Sequence, residues 1–177
     1  MTWATDHLFV AGGDYVSEYW HDFQDQAGVG AVITVSPERP PAYLDPAPWA
    51  TLWLPVGEES AYTLDQLALG VQFIDAAITA GYKLLLHGPH GVHRTRPLVA
   101  AHLIANGKTL ARVLRDLEQK PWLPPYQGDV AVLEALRGFL KGEGEGKQGK
   151  KGNAGTKGTK GNRDMAFMDR HEHEEEL

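Results

Sequence analysis

The sequence predicts an α/β domain built on a mainly parallel sheet that is covered by helices on both faces. Short apolar runs typical of strands alternate along the chain with longer stretches whose apolar residues recur at helical spacing. The strand-like runs are apolar throughout, as expected where both faces of a sheet are buried. Ligands bind to such sheets at the edge where strands end and helices begin.

Each element is predicted from its own pattern. The predicted strands cover residues 8–11, 31–35, 49–54 and 83–86. The predicted helices cover residues 15–26, 63–81, 95–106, 109–120 and 129–140. The first helix would place Tyr15, Tyr19 and Phe23 on one face and therefore in the core. Proline clusters predict irregular chain over 37–48 and a break at 121–125.

The second predicted helix carries its own start signal. Thr63 and Gln66 have the spacing of a capping box, in which each side chain accepts a hydrogen bond from the backbone N–H of the other residue. The helix is therefore expected to begin directly after Thr63.

The most distinctive stretch joins the fourth strand to the next helix and reads LLLHGPHGVHRT over residues 84–95. An apolar strand leads into a tight, glycine-containing loop, which is followed by Arg94, Thr95 and a helix. Backbone N–H groups of such a loop and of the helix start bind phosphate or sulfate, and the Arg94 guanidinium would complete the site. The predicted phosphate-binding residues are Gly88, Pro89, His90, Gly91, Val92, His93 and Arg94.

This loop resembles that of the dual-specificity protein phosphatases, a branch of the protein tyrosine phosphatase superfamily, which reads His-Cys-x5-Arg-Ser/Thr. His87, Arg94 and Thr95 match its histidine, arginine and hydroxyl residue, and Gly91 matches a glycine common inside the loop. Flanking segments extend the resemblance over residues 5–140; they read TDHLFVAG, VGAVITV, KTLARVL and WLPP. The resemblance implies the α/β fold of that family and a site for phosphorylated substrates.

Gly88 stands where the family has its nucleophilic cysteine. The family's reaction needs a thiolate that attacks phosphorus and forms a covalent intermediate, and glycine has no side chain to attack with. The chain contains no cysteine at all, so no other thiol can replace it. The resemblance therefore implies a catalytically impaired protein in which the nucleophile position is not competent.

Two further site positions follow from the resemblance. The segment LPVGEE at residues 54–59 is similar to the one that carries the family's general acid, usually an aspartate, which protonates the departing alcohol. Glu58 is the nearest match and Glu59 the second, and a solvated acidic loop is the alternative interpretation. Thr95 matches a hydroxyl that in the family helps the thiolate to leave. Because this chain has no thiolate, the role that remains for Thr95 is helix capping or contact with phosphate.

His87, His90 and His93 recur every third residue, which raises two alternatives that need no thiol. Histidine side chains can hold a metal ion or form a phosphohistidine. The resemblance implies instead that His87 points away from the anion and orients the loop, while backbone amides face the ligand. We therefore expect no metal site and no cofactor.

The chain is predicted to divide into a phosphatase-like domain, residues 1–140, and a disordered tail rich in glycine, lysine and glutamate, residues 141–177. Lys and Arg number 9 and Asp and Glu 15 in the domain, against 8 and 8 in the tail, so the domain carries the net charge of −6. An acidic domain argues against nucleic-acid binding. No targeting segment and no apolar run near the roughly 20 residues of a membrane span occurs, so we expect a cytoplasmic protein that binds no membrane.

These observations predict a pseudophosphatase that binds phosphorylated protein, or another phosphate ester, through residues 87–95. The alternative is a phosphatase that hydrolyses phosphoprotein monoesters. Either relatives that keep the cysteine are active and Gly88 is a departure in this chain, or the reaction proceeds by a route without cysteine. The sequence leaves substrate identity and oligomeric state open.

Overall fold

The computed structural model describes residues 2–13, 16–88, 92–120, 126–140 and 142. Within these residues, five strands form one sheet: β1 (Thr2–Trp3), β2 (Leu8–Gly12), β3 (Val29–Val35), β4 (Ala50–Leu54) and β5 (Lys83–Gly88). Their spatial order is β1-β2-β5-β3-β4, and only β1 pairs antiparallel among these neighbours. The predicted mainly parallel sheet is confirmed, and β1 is an addition that the sequence patterns did not predict.

Helices cover both faces of this sheet, as predicted. They are α1 (Trp20–Ala27), α2 (Leu64–Thr79), α3 (Arg96–Ala105), α4 (Leu110–Glu118) and α5 (Val130–Leu140). Helix α1 packs on one face through Trp20 and Phe23, while buried residues of the four later helices join the apolar cluster on the other face. A single 3₁₀ turn (His93–Thr95) leads directly into α3.

Strand β5 lies in the middle of the sheet between β2 and β3. Successive side chains of a strand point to opposite faces, so Leu84 and Leu86 enter the larger apolar cluster and Leu85 the smaller one. All three side chains are completely buried. This burial on both faces explains why the run before the glycine loop is apolar without interruption.

The capping box predicted at the start of α2 is present. The Thr63 hydroxyl oxygen accepts a hydrogen bond from the Gln66 backbone N–H at 3.2 Å, and the Gln66 side-chain oxygen accepts one from the Thr63 N–H at 3.0 Å. Two N–H groups at the helix end are thereby satisfied. The capping box therefore fixes where the segment after β4 ends and α2 begins. Tyr62, the residue before the cap, contacts the 3₁₀ turn at Arg94.

The first helix starts later than predicted, at Trp20 instead of residue 15. Tyr15 lies outside the described residues, and Tyr19 precedes the helix with 53% of its surface exposed, so its assignment to the core is wrong. Trp20 is fully buried and its ring N–H donates to the Pro46 carbonyl at 2.8 Å. This anchoring of a large aromatic residue decides which face of α1 meets the sheet.

The remaining differences concern element ends. Strand β3 starts two residues earlier than predicted, β5 continues to Gly88, and the predicted helix 95–106 divides into the 3₁₀ turn and α3. The predicted break at 121–125 and the predicted tail, residue 142 apart, lie outside the described residues. Among the helices that are described, none is long and apolar enough to cross a membrane.

Candidate anion-binding site

The candidate site begins where the central strand β5 ends. Gly88, its last residue, pairs in register with Gly12 at the end of β2, and the Gly13 N–H donates to the Gly88 carbonyl at 3.1 Å. Gly13 has a φ of 113°, a conformation that favours glycine, so the chain turns away directly after β2. Gly88 therefore lies at the carboxyl edge of the sheet, where parallel sheets bind ligands.

His87 ties this strand end to the glycine turn. Its side chain is buried, and its Nε2 makes a hydrogen bond with the Gly13 carbonyl oxygen. Its strand position places it opposite Thr34 of β3, on the sheet face that carries α1. This contact joins the end of β5 to the glycine turn after β2.

The chain beyond Gly88 is described again from Val92, since Pro89, His90 and Gly91 lie outside the described residues. Thr95 closes the following turn because its hydroxyl donates to the Val92 carbonyl at 2.7 Å and its backbone N–H to the same oxygen at 3.2 Å. The donor proton of the hydroxyl is thus used inside the turn. Thr95 therefore stabilises the turn at the start of the helical segment through its own side chain.

Arg94 is held by its backbone while part of its side chain lacks a partner. The Tyr62 hydroxyl donates to the Arg94 carbonyl oxygen at 2.6 Å. The Nη1 atom of Arg94 is buried and has no hydrogen-bond partner among the residues that the structure describes. A buried cationic donor without an acceptor is costly, and an anion at the helix start would supply one.

The two candidate acids occupy different environments. Glu58 is exposed and contacts the rest of this segment through its carbonyl, which accepts the Ala61 N–H at 3.1 Å. Glu59 is buried: one carboxylate oxygen pairs with Nη2 of Arg96, and the other accepts the Gln127 N–H at 3.4 Å. Glu58 is free to face solvent, whereas both oxygens of Glu59 are occupied.

Arg96 is a site residue that the sequence patterns did not reveal. Its side chain is completely buried, and its Nη2 lies 2.9 Å from His93 Nδ1 as well as against Glu59. Because arginine can only donate, Nδ1 of His93 accepts this hydrogen bond and the ring proton of a neutral His93 resides on Nε2. The imidazole is half exposed and lies at the rim of the turn.

Two tyrosines lie beside this ion pair. Burial raises the pKa of the Tyr62 hydroxyl well above its usual value, and the neighbouring Tyr126 and Glu59 raise it further. Burial also raises the pKa of Tyr126, again with a contribution from Glu59. Both hydroxyls therefore stay protonated at neutral pH, and the Tyr62 bond to the Arg94 carbonyl persists.

We expect stability to fall as the pH rises above about 10. The tyrosines of an unfolded chain lose their protons there, whereas Tyr62 keeps its proton in the folded state, so the folded state binds more protons. Tyr62→Phe should cost about 1 kcal/mol at neutral pH and flatten the alkaline decline. Urea unfolding from pH 8 to 11 measures both effects, and a slope identical to that of the control Tyr82→Phe would contradict the assignment.

The sequence matches no protein-family model and no curated protein sequence. Solved structures nevertheless share the fold. Human DUSP28 has a TM-score of 0.64 at 21% identity over 81% of this chain and 99% of that one. DUSP15 has a TM-score of 0.63 at 21% identity, over 84% of this chain and 98% of that one. Human tyrosine phosphatase-like serine/threonine/tyrosine-interacting protein has a TM-score of 0.63 at 15% identity, over 80% of this chain and 95% of that one. The chain therefore has the dual-specificity phosphatase fold, as the loop motif predicted.

Proposed function

We propose that this protein is a pseudophosphatase that binds phosphorylated protein through residues 87–95 and does not hydrolyse the bound ester. One observation carries the proposal. Gly88, at the carboxyl end of β5, supplies no nucleophile, and Arg94 keeps a buried Nη1 without a partner in the described part of the chain. The site thus pairs a missing nucleophile with an available cation.

The binding chemistry suits a phosphate monoester dianion. The Arg94 guanidinium can donate two parallel hydrogen bonds to phosphate oxygens. The helical segment that starts at His93 adds its positive dipole end, and the loop amides add further donors. We propose that these groups enclose the phosphate of a partner protein and shield it from solvent and from phosphatases.

Turnover by the family's route needs both a nucleophile and a proton donor. Gly88 removes the first. For the second, we propose that Glu58 occupies the acid position, because it is exposed on the segment that follows β4, whereas the Glu59 carboxylate is engaged by Arg96 and Gln127. With no nucleophile in place, an acid alone gives no hydrolysis.

The name of one similar structure supports a binding role. One of them is described as a tyrosine phosphatase-like serine/threonine/tyrosine-interacting protein, a name that joins a phosphatase-like fold to interaction. We propose the same combination for this chain, with a phosphorylated protein as its partner.

The test compares matched peptides that differ only in phosphorylation. Purified full-length chain should bind peptides containing phosphotyrosine or phosphothreonine saturably, bind the unphosphorylated peptides weakly or not at all, and leave an aryl phosphate intact. Absence of phosphopeptide binding at millimolar concentration would contradict the proposal. Aryl phosphate hydrolysis that chelation or His90→Ala abolishes would instead establish the alternative, a phosphatase that works without cysteine.

A further inference from the structure

Three separate chain segments meet at one buried ion pair beside the candidate anion site. Glu59 belongs to the segment between β4 and α2, Arg96 is the first residue of α3, and Gln127 precedes α5. The Arg96 side chain is completely buried and that of Glu59 is 7% exposed. We refer to the Glu59–Arg96 pair and its bond to the Gln127 N–H as the buried clamp.

Further hydrogen bonds engage both residues of the clamp. The Glu59 carboxylate uses one oxygen for Arg96 and the other for Gln127, and Arg96 also donates to His93 Nδ1. Buried charges persist when they are paired and when their remaining hydrogen-bonding capacity is used. Here the pairing occupies the Glu59 carboxylate, which the resemblance offers as the second candidate for the proton donor.

The clamp includes Arg96, which lies two residues after Arg94 in the chain. Arg94 lies in the 3₁₀ turn and Arg96 begins α3, so at about 100–120° per residue the two side chains leave the chain roughly 200–240° apart. Anchoring of Arg96 to Glu59 therefore constrains the turn that carries Arg94. The Tyr62 bond to the Arg94 carbonyl fixes the backbone at that point, on the same segment as Glu59.

We infer that Glu59 and Arg96 are positioning residues for Arg94 and the turn 93–95 that carries it. They lock the turn 93–95 against the segment after β4, and so set the direction in which Arg94 presents its guanidinium. This inference rests on the proposed function, since the ligand that Arg94 is positioned for is the phosphate group. It also assigns Glu59 a role different from proton donation.

The test removes the clamp without leaving a buried charge. A buried ion pair can often be replaced by neutral residues with little loss of stability, whereas removal of one partner leaves an uncompensated charge. The double variant Glu59→Gln, Arg96→Met is therefore compared with the wild type and with Phe23→Leu. Phe23 is buried on the opposite face of the sheet, so that variant controls for a general loss of stability.

Two readouts are measured on folded full-length protein. The first is the dissociation constant for inorganic phosphate, which should rise about tenfold or more in the double variant and stay within about twofold of wild type in Phe23→Leu. The second is hydrogen exchange at the Thr95 amide, which is bonded to the Val92 carbonyl and should exchange faster only in the double variant. Arg96→Lys should fall between wild type and the double variant, since lysine keeps the charge without the planar fork.

The outcomes separate the two claims. If wild type binds phosphate and the double variant binds it equally well, Glu59 and Arg96 do not position the loop. If wild type binds no phosphate, the proposed function fails, and Thr95 exchange alone decides the clamp: unchanged exchange in the double variant overturns it, and faster exchange supports it.

Discussion

Gly88→Cys should convert this protein from one without turnover into a phosphatase. The new side chain would supply the missing thiolate at the end of β5, beside the helix start that stabilises negative charge. We expect aryl phosphate hydrolysis at least roughly 10³-fold above the wild-type background, since loss of a nucleophile costs other enzymes this much or more. Vanadate and thiol alkylation should both inhibit the reaction.

The absence of cysteine from the chain makes this variant unusually clean, because the introduced thiol is the only one present. Its pKa can be read from the rate of alkylation as a function of pH, and it should lie well below the usual value of about 8.5. Gly88→Ser is the matched control, since a hydroxyl is not ionised in this range and should give no hydrolysis. A thiol with an ordinary pKa and no turnover would contradict an anion-stabilising loop at residue 88.

The Gly88→Cys variant also provides information about the proton donor. If Gly88→Cys has a lowered thiol pKa but hydrolyses no ester, the proton donor or the surrounding pocket has degenerated as well. The proposed acid position is tested by Glu58→Gln in a Gly88→Cys background that is active. Where Gly88→Cys is active, the glutamine variant should lower kcat, and an unchanged kcat would remove Glu58 from the mechanism.

Arg94→Ala should weaken phosphate binding by roughly 10- to 100-fold, the loss expected when hydrogen bonds to a charged group are removed. Nη1 of its guanidinium is buried and has no hydrogen-bond partner in the part of the chain that the structure describes. The bond from Tyr62 goes to the backbone carbonyl of Arg94, so the substitution leaves it in place. Titration calorimetry with inorganic phosphate gives the ratio of dissociation constants.

Arg112→Ala is the control for the loss of one positive charge. Its side chain is 72% exposed on α4, and its contact with Asp116 is a surface ion pair at 3.9 Å. Phosphate affinity should therefore change by no more than about twofold, because exposed charges at a distance are screened. Equal losses in both variants would show that binding reflects overall charge and not the loop.

The parts of the fold that the sequence predicts are those with local causes. The uninterrupted apolar run of β5 follows from burial on both faces, and the spacing of Thr63 and Gln66 fixes the start of α2 before any tertiary contact is known. The position of Gly88 and Arg94 around a strand end follows in the same way from strand, loop and helix order. The start of α1 does not, because packing of Trp20 overrides the aromatic spacing around it.

The buried clamp could not be predicted from local patterns, because Glu59 and Arg96 lie 37 positions apart and meet only in the folded chain. Weak signals do exist. The residues after Arg96 read PLVAAHLIA, and a helix apolar on nearly all sides is buried, so a charge in its first turn needs a partner. Tyr62 precedes the helix cap at Thr63, where an apolar residue commonly packs against the first turn.

The most direct test of a phosphate-binding loop without a nucleophile is a residue-resolved NMR titration of the wild-type chain with inorganic phosphate. We expect saturable shifts of the amides at Gly88 and at residues 92–95, with a dissociation constant of roughly 1 mM or lower. The Arg112 amide should shift no more than it does when the ionic strength alone is changed. Amides at the end of β5 and in the 3₁₀ turn that do not respond at saturating phosphate would contradict a phosphate-binding loop.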